Sequence, residues 1–581
     1  MDKRTKQVLT RYESAKGARS QLNQVFEEIA EVLSPERVGF TTANAGSSRS
    51  ATIYDTSPLV AKRSLVNAIS GMLRPKSAKG GKWFDIVPED DDLLNDPEIK
   101  AWVEGAEDTL WKHMYNPDSR FISASGEIDD DLVTFGTGYG FVSIRPDMRG
   151  LYYKAFHPKQ CYLEVDGLNE VSGVYVREML TPGQAAEMFG VDKLGAKTKE
   201  RLRDGSKHKR EEKSEFVWWV SRRHEFDPAS KSNIDMPYIS LVIDVDSEHE
   251  VEETGYMEMP FIIPRWSTMS RDSNGYGRGP GLMALPDVLT LNQMGKTMLR
   301  ALHRAVDPPW LLPSDSMVNA PQLRPGGVSY YDAKAIRNLG MSKPFQQMDS
   351  TANIPWGLDA QSKAREGIMA VFFKNILNLP VDAPTMTATE VLERRESFVR
   401  EIGSVFGSLE SSYTNPLVER SFNILLRKGA FGPPESIPEA LQGSEVQFRF
   451  ASPVEKAKRQ IEEAGVGTAM DRILQIGQVR PEILERFDFD AYGKFIADSN
   501  DFPLELMKTD ADLQAAQEQQ AQQQQMQQQM QIAERLAPVM KQAAEADKAG
   551  AEAGVDAGGG GGGGVANDNI PPELQQMLAG G

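Results

Sequence analysis

The stretch Arg271–Pro286, "RDSNGYGRGPGLMALP", sets glycines at alternate positions, Gly275, Gly277, Gly279 and Gly281, and "MGKT", Met294–Thr297, follows it. Together they suggest a phosphate cradle, and the spacing can be checked. A dinucleotide fingerprint needs G-x-G-x-x-G between a strand and a helix. Counted from Gly275 the third glycine position holds Pro280, and counted from Gly277 it holds Leu282. A P-loop needs G-x-x-x-x-G-K-[ST]. Gly295–Thr297 supplies its end, but Thr290 stands where the first glycine belongs, and "TLNQM" reads as the body of a helix. Both motifs fail. The glycines read instead as a flexible lead into the helix that follows.

That helix is expected over Leu285–Val306, ending before "DPPW". At about 100° per residue, Leu291, Met294, Met298, Leu302, Ala305 and Val306 fall on one side. Gln293, Lys296, Thr297, Arg300 and Arg304 fall on the other. Lys296 is thus part of a basic stripe on a helix. Two readings of the stripe stand side by side: a solvated or salt-bridged face, or a face turned to neighbouring subunits or a polyanion.

Upstream, the chain reads as helical to about Pro75, with Leu59, Val60, Leu65, Val66, Ile69 and Leu73 at helical spacing. "GGKWFDIVPEDDD" follows as a short strand and an acidic, solvated turn. "DPEIKAWVEGAEDTLWKHMY" is helical, and "DDDLVTFGTGYGFVSIRPD" reads as a turn into a strand. From Leu151 to Trp266 strands dominate, interrupted by the charged helical insertion "KTKERLRDGSKHKREEKSE", which predicts an α+β domain with antiparallel pairing.

Downstream, "LLPSDSMVNAPQLRPGGVSYYD" is punctuated by Pro and Gly around a short strand, and Leu358–Leu379 reads as a second helix closed by Pro380. A third begins at the capping box "TATE" from Thr387, with Val391, Phe398, Ile402, Phe406, Leu409 and Tyr413 as its apolar stripe. Pro416 is expected to kink or break it. A further helix stops at "RKGAFG". "SEVQFRFASP" reads as a strand returning to an earlier sheet, with short helices after it. From about Ala511 the chain turns glutamine-rich, and Gly558–Gly564 is a flexible tract.

Length and composition bound the function. A chain of 581 residues exceeds one hydrophobic core and predicts two to four domains. Hydrophobic content of 40% and charged content of 25% fit a soluble protein. The first residues are too charged for a signal peptide, and no apolar run is long enough to span a bilayer. These features predict a cytosolic protein, or a component of a particle assembled in the cytosol. Sixty-five basic against 83 acidic residues give a net charge of -18, which argues against a protein whose main task is to grip nucleic acid. It leaves room for one that nucleic acid slides past. Cys161 stands alone, so no intramolecular disulfide is available, and it is expected to be a small buried apolar residue.

No catalytic, cofactor or metal constellation emerges. The histidines, His113, His157, His208, His224, His249 and His303, are scattered and none has paired-ligand spacing. No G-x-S-x-G elbow is present. No carboxylate dyad stands out in so acidic a chain.

The order of elements resembles the portal, or head-to-tail connector, proteins of short-tailed bacteriophages. The stretches that carry the resemblance are "DTSPLVAKRSLVNAISGMLRP" with "KWFDIVPED", "FGTGYGFVSI", "GYGRGPGLMALPDVLTLNQMGKTMLRALHRAVDPPWLL" and "APTMTATEVLERRE". It covers roughly Arg4–Met507. The resemblance implies an α+β wing over 1–284, a stem helix over 285–310, a small strand-bearing clip over 311–356 and a second stem helix over 357–379. A tunnel loop over 380–386 follows, with Val381, Asp382, Ala383, Pro384 and Thr385 projecting toward DNA. Residues 387–510 would supply a long kinked helix, a strand returning to the wing and crown helices; 511–581 would be a disordered Gln/Gly-rich tail. Gln293, Lys296, Arg300 and Arg304 would face the channel or a neighbouring subunit.

The implied assembly is a ring of about twelve subunits at one capsid vertex of the virion, assembled in the host cytoplasm. Its implied partners are capsid and scaffolding proteins, the terminase motor, a tail adaptor and double-stranded DNA passing without sequence specificity. No membrane, cofactor or catalytic activity is implied. Two other readings are a different virion component, such as a tail or internal head protein, and a nucleotide-dependent packaging enzyme, suggested only by "GKT".

Overall fold

The computed structural model describes residues 3–41, 53–75, 82–88, 96–145, 150–204, 207–223, 232–267, 275–314, 324–332, 346–347, 354–374, 405–433, 436–441, 446–450, 453–477 and 489–499, with a few single positions between them. All lie within one compact unit, Met1–Asp501. The architecture is mixed helix and strand.

Five helices open the chain: α1 (Lys3–Ala18), α2 (Ser20–Leu33), α3 (Ser57–Leu73), α4 (Pro97–Met114) and α5 (Phe121–Phe135). The apolar stripe expected on the third is real: Leu65, Ile69 and Leu73 are buried, whereas Val60 is exposed. Together with Ile29, Leu33, Leu110, Leu132 and Phe135 they form the main core. Each fully buried side chain of this size contributes about 1.5–3 kcal/mol.

Asp129–Phe135 is the end of α5, not a turn into a strand. Three consecutive acids make it legible only with their partners in view. Asp129 pairs with Arg74, Asp130 with Lys62 at 2.9 Å and Asp131 with Arg37 at 3.2 Å. Successive helical residues point about 100° apart, so each acid meets a different neighbour, and the run ties α5 to α3 and to the end of α2.

Strand β1 (Phe84–Pro88) pairs antiparallel with the late strand that returns to it, described below. β2 (Gly140–Ile144) and β3 (Leu151–Ala155) form a hairpin. Then β4 (Cys161–Val165), β5 (Val171–Leu180), β6 (Ser214–Arg222), β7 (Tyr238–Asp244) and β8 (His249–Tyr256) make a five-stranded sheet, each strand antiparallel to the next. The short β9 (Phe261–Ile262) closes back on β2.

The five-stranded sheet is covered on both faces, and strand alternation divides its residues between them. Tyr175, Val217, Trp219 and Leu241 pack with Val8 and Tyr12 of α1. Val174, Val176 and Val220 pack with Phe156, Phe261 and Tyr276. Cys161 belongs to the second face and is fully buried, as its apolar reading required. Between β5 and β6 lie α6 (Pro182–Phe189), α7 (Ala196–Arg203) and α8 (Lys207–Glu211). The last two are the expected charged insertion. α6 was not expected, although its signal is local: Thr181 and Gln184 form a reciprocal capping box around Pro182.

Helix α9 (Pro280–Val306) starts at Pro280, five residues before the expected Leu285, and runs through Pro286. Pro280 sits in the first turn, where a missing N–H costs nothing. β10 (Trp310–Ser314) pairs parallel with β11 (Val328–Asp332) and antiparallel with β12 (Gln346–Gln347).

The returning helix α10 spans Ile354–Val371, beginning before Leu358 and stopping before Leu379. Phe373, at φ 53°, takes the chain out of the helix, and Phe372 before it is buried. The helix predicted from Thr387 lies, in its first half, outside the described residues. Residues 405–409 are helical, and Phe406, Leu409 and Tyr413 are buried as the stripe required.

Pro416 does not break this helix. A π-helical turn, Glu410–Thr414, precedes it, and α11 (Asn415–Arg427) begins with the proline in its first turn. The wider turn absorbs the ring and the missing donor. Gly429 at φ 69°, with the Ala430 amide donating to the Leu425 carbonyl at 3.0 Å, supplies the expected glycine stop. β13 (Val446–Phe450) then pairs with β1, a two-stranded sheet of their own. After it comes α12 (Pro453–Gly477), 25 residues long where short helices were expected, and α13 (Phe489–Ser499).

Candidate functional site

The alternate glycines are a packing seam rather than a flexible lead. Gly277, Gly279 and Gly281 are buried against the end of α5 and the turn after it. A Cβ on Gly279 would stand 2.8 Å from the Gly136 Cα and from the Leu132 carbonyl oxygen. On Gly281 it would overlap the Thr134 carbonyl, and on Gly277 the Gly136 carbonyl. "FGTGYGF" answers with its own glycines. Gly136 takes φ 85°, and a Cβ on Gly138 would come within 2.7 Å of the Ile128 side chain. Tyr276, between the seam glycines, is buried and accepts from the Leu163 amide at 3.3 Å. Arg19, wholly buried at the α1–α2 junction, lies over the Tyr276 and Tyr162 rings and donates to the Cys161 carbonyl. The seam therefore joins the five-stranded sheet, α5 and the start of α9 at one point.

From that point α9 runs out and α10 returns beside it, an antiparallel hairpin. Met298 packs on Gly357, whose lack of a side chain admits the Met298 Cε. At its base the hairpin is strapped to the body by two consecutive residues. The Tyr54 amide donates to Asn292 Oδ1 of α9 at 2.7 Å, and Asp55 pairs with Arg365 of α10 at 2.8 Å. Partial burial alone would raise the Asp55 pKa, but hydrogen bonds from Ser57 and the Arg365 ion pair outweigh it and hold the carboxyl below its ordinary value.

The four stripe residues separate. Lys296 is half-buried with its ammonium 5.8 Å from the centre of the Tyr54 ring, and Gly295 beside it leaves room for the Tyr54 backbone. "GKT" is therefore the middle of a helix, clamped by the strap, with no loop to hold a phosphate. Gln293 is exposed on the other flank, where it lines a groove between α9 and α10. Arg300 and Arg304 are exposed in the outer half of α9. The expected loop residues Val381, Asp382, Ala383, Pro384 and Thr385 lie outside the described residues. His224 does too.

The groove has a volume of about 620 Å³ and is lined mainly by Leu289, Met294, Met298, Ala301, Ile354 and Trp356, with no charged side chain. Trp356 of the groove is 71% exposed, and outside the groove the hairpin exposes Leu299 at 44%, Leu302 at 37%, Val306 at 85% and Leu358 at 49%. Sequence periodicity placed Leu302 and Val306 on an apolar side, but Tyr54, Asp55, Trp356 and Leu358 were not singled out. An exposed-looking Trp one residue from a helical glycine, Trp356–Gly357, is the signal that could have pointed to the groove. Among the described residues no group of His, Cys, Asp or Glu is arranged to hold a metal ion, and no helix is long and apolar enough to cross a membrane.

A family described as "Bacteriophage head to tail connecting protein" matches residues 5–507. The "Probable portal protein" of Bordetella phage BPP-1 is 26% identical over 534 residues, covering 89% of this chain and 93% of its own. The "Portal protein" of Salmonella phage epsilon15 is 24% identical over 503 residues, covering 83% and 85%. A chain from a solved structure titled "Virion of native gene transfer agent (GTA) particle" aligns at TM-score 0.28 and 11% identity, covering 71% of this chain and 95% of that one. With an α+β body, a strapped helical hairpin and a family match across almost all of residues 1–501, this chain belongs to the bacteriophage head to tail connecting protein family.

Proposed function

We propose that the chain is one subunit of a portal: a closed ring at a single capsid vertex through which double-stranded DNA enters during packaging and leaves on ejection. The observation that carries the ring is the hairpin, whose outer part exposes Leu299, Leu302, Val306, Trp356 and Leu358 in the single chain. Apolar surface of this extent on a projecting element calls for a neighbour, and copies of one chain that contact head to tail close into a ring when the rotation closes.

In this reading residues 1–284 are the wing, α9 and α10 are the stem, and the β10–β12 segment between them is the clip that meets the terminase motor and later the tail adaptor. Residues 380–386 are the tunnel loop, and 387–510 hold the long helix, the strand that returns to β1 and the crown. Capsid and scaffolding proteins contact the outer wing. A conduit must not hold its cargo, because each neutralised phosphate adds affinity. A chain of net charge -18 with exposed Arg300 and Arg304 on one helix meets that need. The subunit works by shape and charge and needs neither cofactor nor catalytic group.

Electron microscopy of the purified protein over a range of concentrations tests the reading. Annular particles are expected. A monomer at high concentration, with no annuli under any condition, overturns it.

A further inference from the structure

We propose that the outer edge of β13 is a strand-addition site for an extended, lysine- or arginine-bearing segment of a partner protein. β13 and β1 form a sheet of two strands, and among the described residues no other strand pairs with either. The far edge of β1 is closed: its Ile86 amide donates to Glu107 of α4 at 2.8 Å. That bond also sets the phase of the ladder. Ile86 stands opposite Phe448, and with its amide turned away from β13 the two form a non-hydrogen-bonded pair. Phe448 therefore turns its own N–H and C=O outward, and so does Phe450 two residues on. β13, "VQFRF", has neither the proline nor the lysine that commonly blunts an exposed edge.

A cleft of about 500 Å³ runs along this edge. Gln447 and Phe448 both line it. Successive strand residues point to opposite faces, so a cleft that reaches both lies at the edge, and the inner edge is filled by β1. The opposite wall is the π-turn and α11, which present Ser411, Asn415 and Glu419 at four-residue spacing, with Glu410 beside them. The charged residues of the lining are Glu410 and Glu419, both acidic. Carboxylates repel a phosphate backbone and an acidic peptide alike, and attract a basic side chain. Outward main-chain groups call for an extended backbone with matching donors and acceptors. Main-chain pairing gives the added strand its affinity, and the carboxylates select which strand is added. The site belongs to the single chain, so it does not depend on the ring reading.

Fluorescence anisotropy of labelled heptapeptides on the full-length protein tests the site. One peptide alternates threonine and lysine, a second alternates threonine and glutamate, and a third is the lysine peptide N-methylated at every backbone amide. The lysine peptide is expected to bind, the glutamate peptide about tenfold more weakly, and the methylated peptide not at all. Glu410→Gln with Glu419→Gln should weaken the lysine peptide about three- to tenfold. Hydrogen exchange read by mass spectrometry should slow over residues 446–450 when the lysine peptide is added. Failure of the lysine peptide to bind overturns the proposal. So does equal binding of its methylated form, which would be charge attraction without strand pairing, or exchange slowed only elsewhere. Unchanged binding by the double variant, or equal binding of the glutamate peptide, overturns the basic specificity. Protection of residues 446–450 that grows with protein concentration and needs no peptide also overturns the proposal, because a second copy would then fill the edge.

Discussion

Gly136 and Gly277 meet backbone to backbone. The Gly136 carbonyl accepts from the Trp266 amide at 3.0 Å, the Gly277 amide donates to Thr137 Oγ1 at 2.8 Å, and no Cβ fits on Gly277 without overlapping the Gly136 carbonyl oxygen. The direction in which α9 leaves the body is thereby fixed by main-chain contact. Side chains can rearrange to accommodate a neighbour, but buried backbone cannot move without losing its own hydrogen bonds.

Gly277→Ala is therefore expected to destabilise the protein by several kcal/mol, as overpacking against rigid atoms does. Gly105, exposed within α4 with open space around its missing Cβ, is the control. Gly105→Ala is expected to raise stability by about 0.5–1 kcal/mol through helix propensity. Thermal unfolding of the two variants checks this. Equal effects would show that the seam is not tight.

Helical period made most of the fold legible. Leu65, Ile69, Phe406 and Tyr413 fall on apolar stripes by period and are buried, whereas Leu302 and Val306, on the same side of α9 as buried Leu291, are exposed. What stayed hidden depends on residues far apart in the chain. The glycines of 275–281 look flexible until 134–136 are set against them. Asp129–Asp131 look like a turn until Arg74, Lys62 and Arg37 are brought to α5. Lys296 looks like one member of a stripe until Tyr54 lies beneath it. Pro416 looks like a break because a π-turn has no local signature. The basic character of α9 was legible; the groove was not, because it exists only once α10 lies beside α9.

The same dependence on partners separates two neighbouring acids. Asp129→Asn leaves Arg74, buried beside Tyr413, without its counter-ion, and is expected to cost about 3–5 kcal/mol. Asp131→Asn should cost less than about 1 kcal/mol. Neither Asp131 oxygen accepts a hydrogen bond among the described residues, and Arg37 keeps Glu127 at 3.0 Å. Burial pushes the Asp131 carboxyl well above its ordinary pKa despite Arg37. Urea midpoints for the two variants decide between this and a uniform contribution of the run.

Glu107 gives the packing of α4 on β1 a pH dependence. Its carboxylate on α4 accepts from the Ile86 amide of β1 at 2.8 Å. Burial raises its pKa to about 7, against the opposing effects of the Ile86 hydrogen bond and Lys82. The folded state then holds a proton that the unfolded chain has released between about pH 4.5 and 7. Stability from this group is full below that window and falls as pH rises through it, by up to about 1.4 kcal/mol per pH unit. Glu107→Gln should flatten the wild-type decline over this window. A variant whose stability falls in parallel with wild type would show that Glu107 is not its source.

Arg300 and Arg304 test the conduit separately from the ring. Both are exposed, so Arg300→Ala with Arg304→Ala should assemble annuli as wild type does. If the stripe faces DNA, each subunit loses two phosphate-directed charges, and the effect multiplies round the ring. Retention of DNA by purified rings should weaken, and its dependence on salt should become shallower, because fewer counterions are exchanged. Packaging yield should change while annulus formation and thermal stability do not. Unaltered packaging and an unaltered salt slope would make the stripe a solvated outer face.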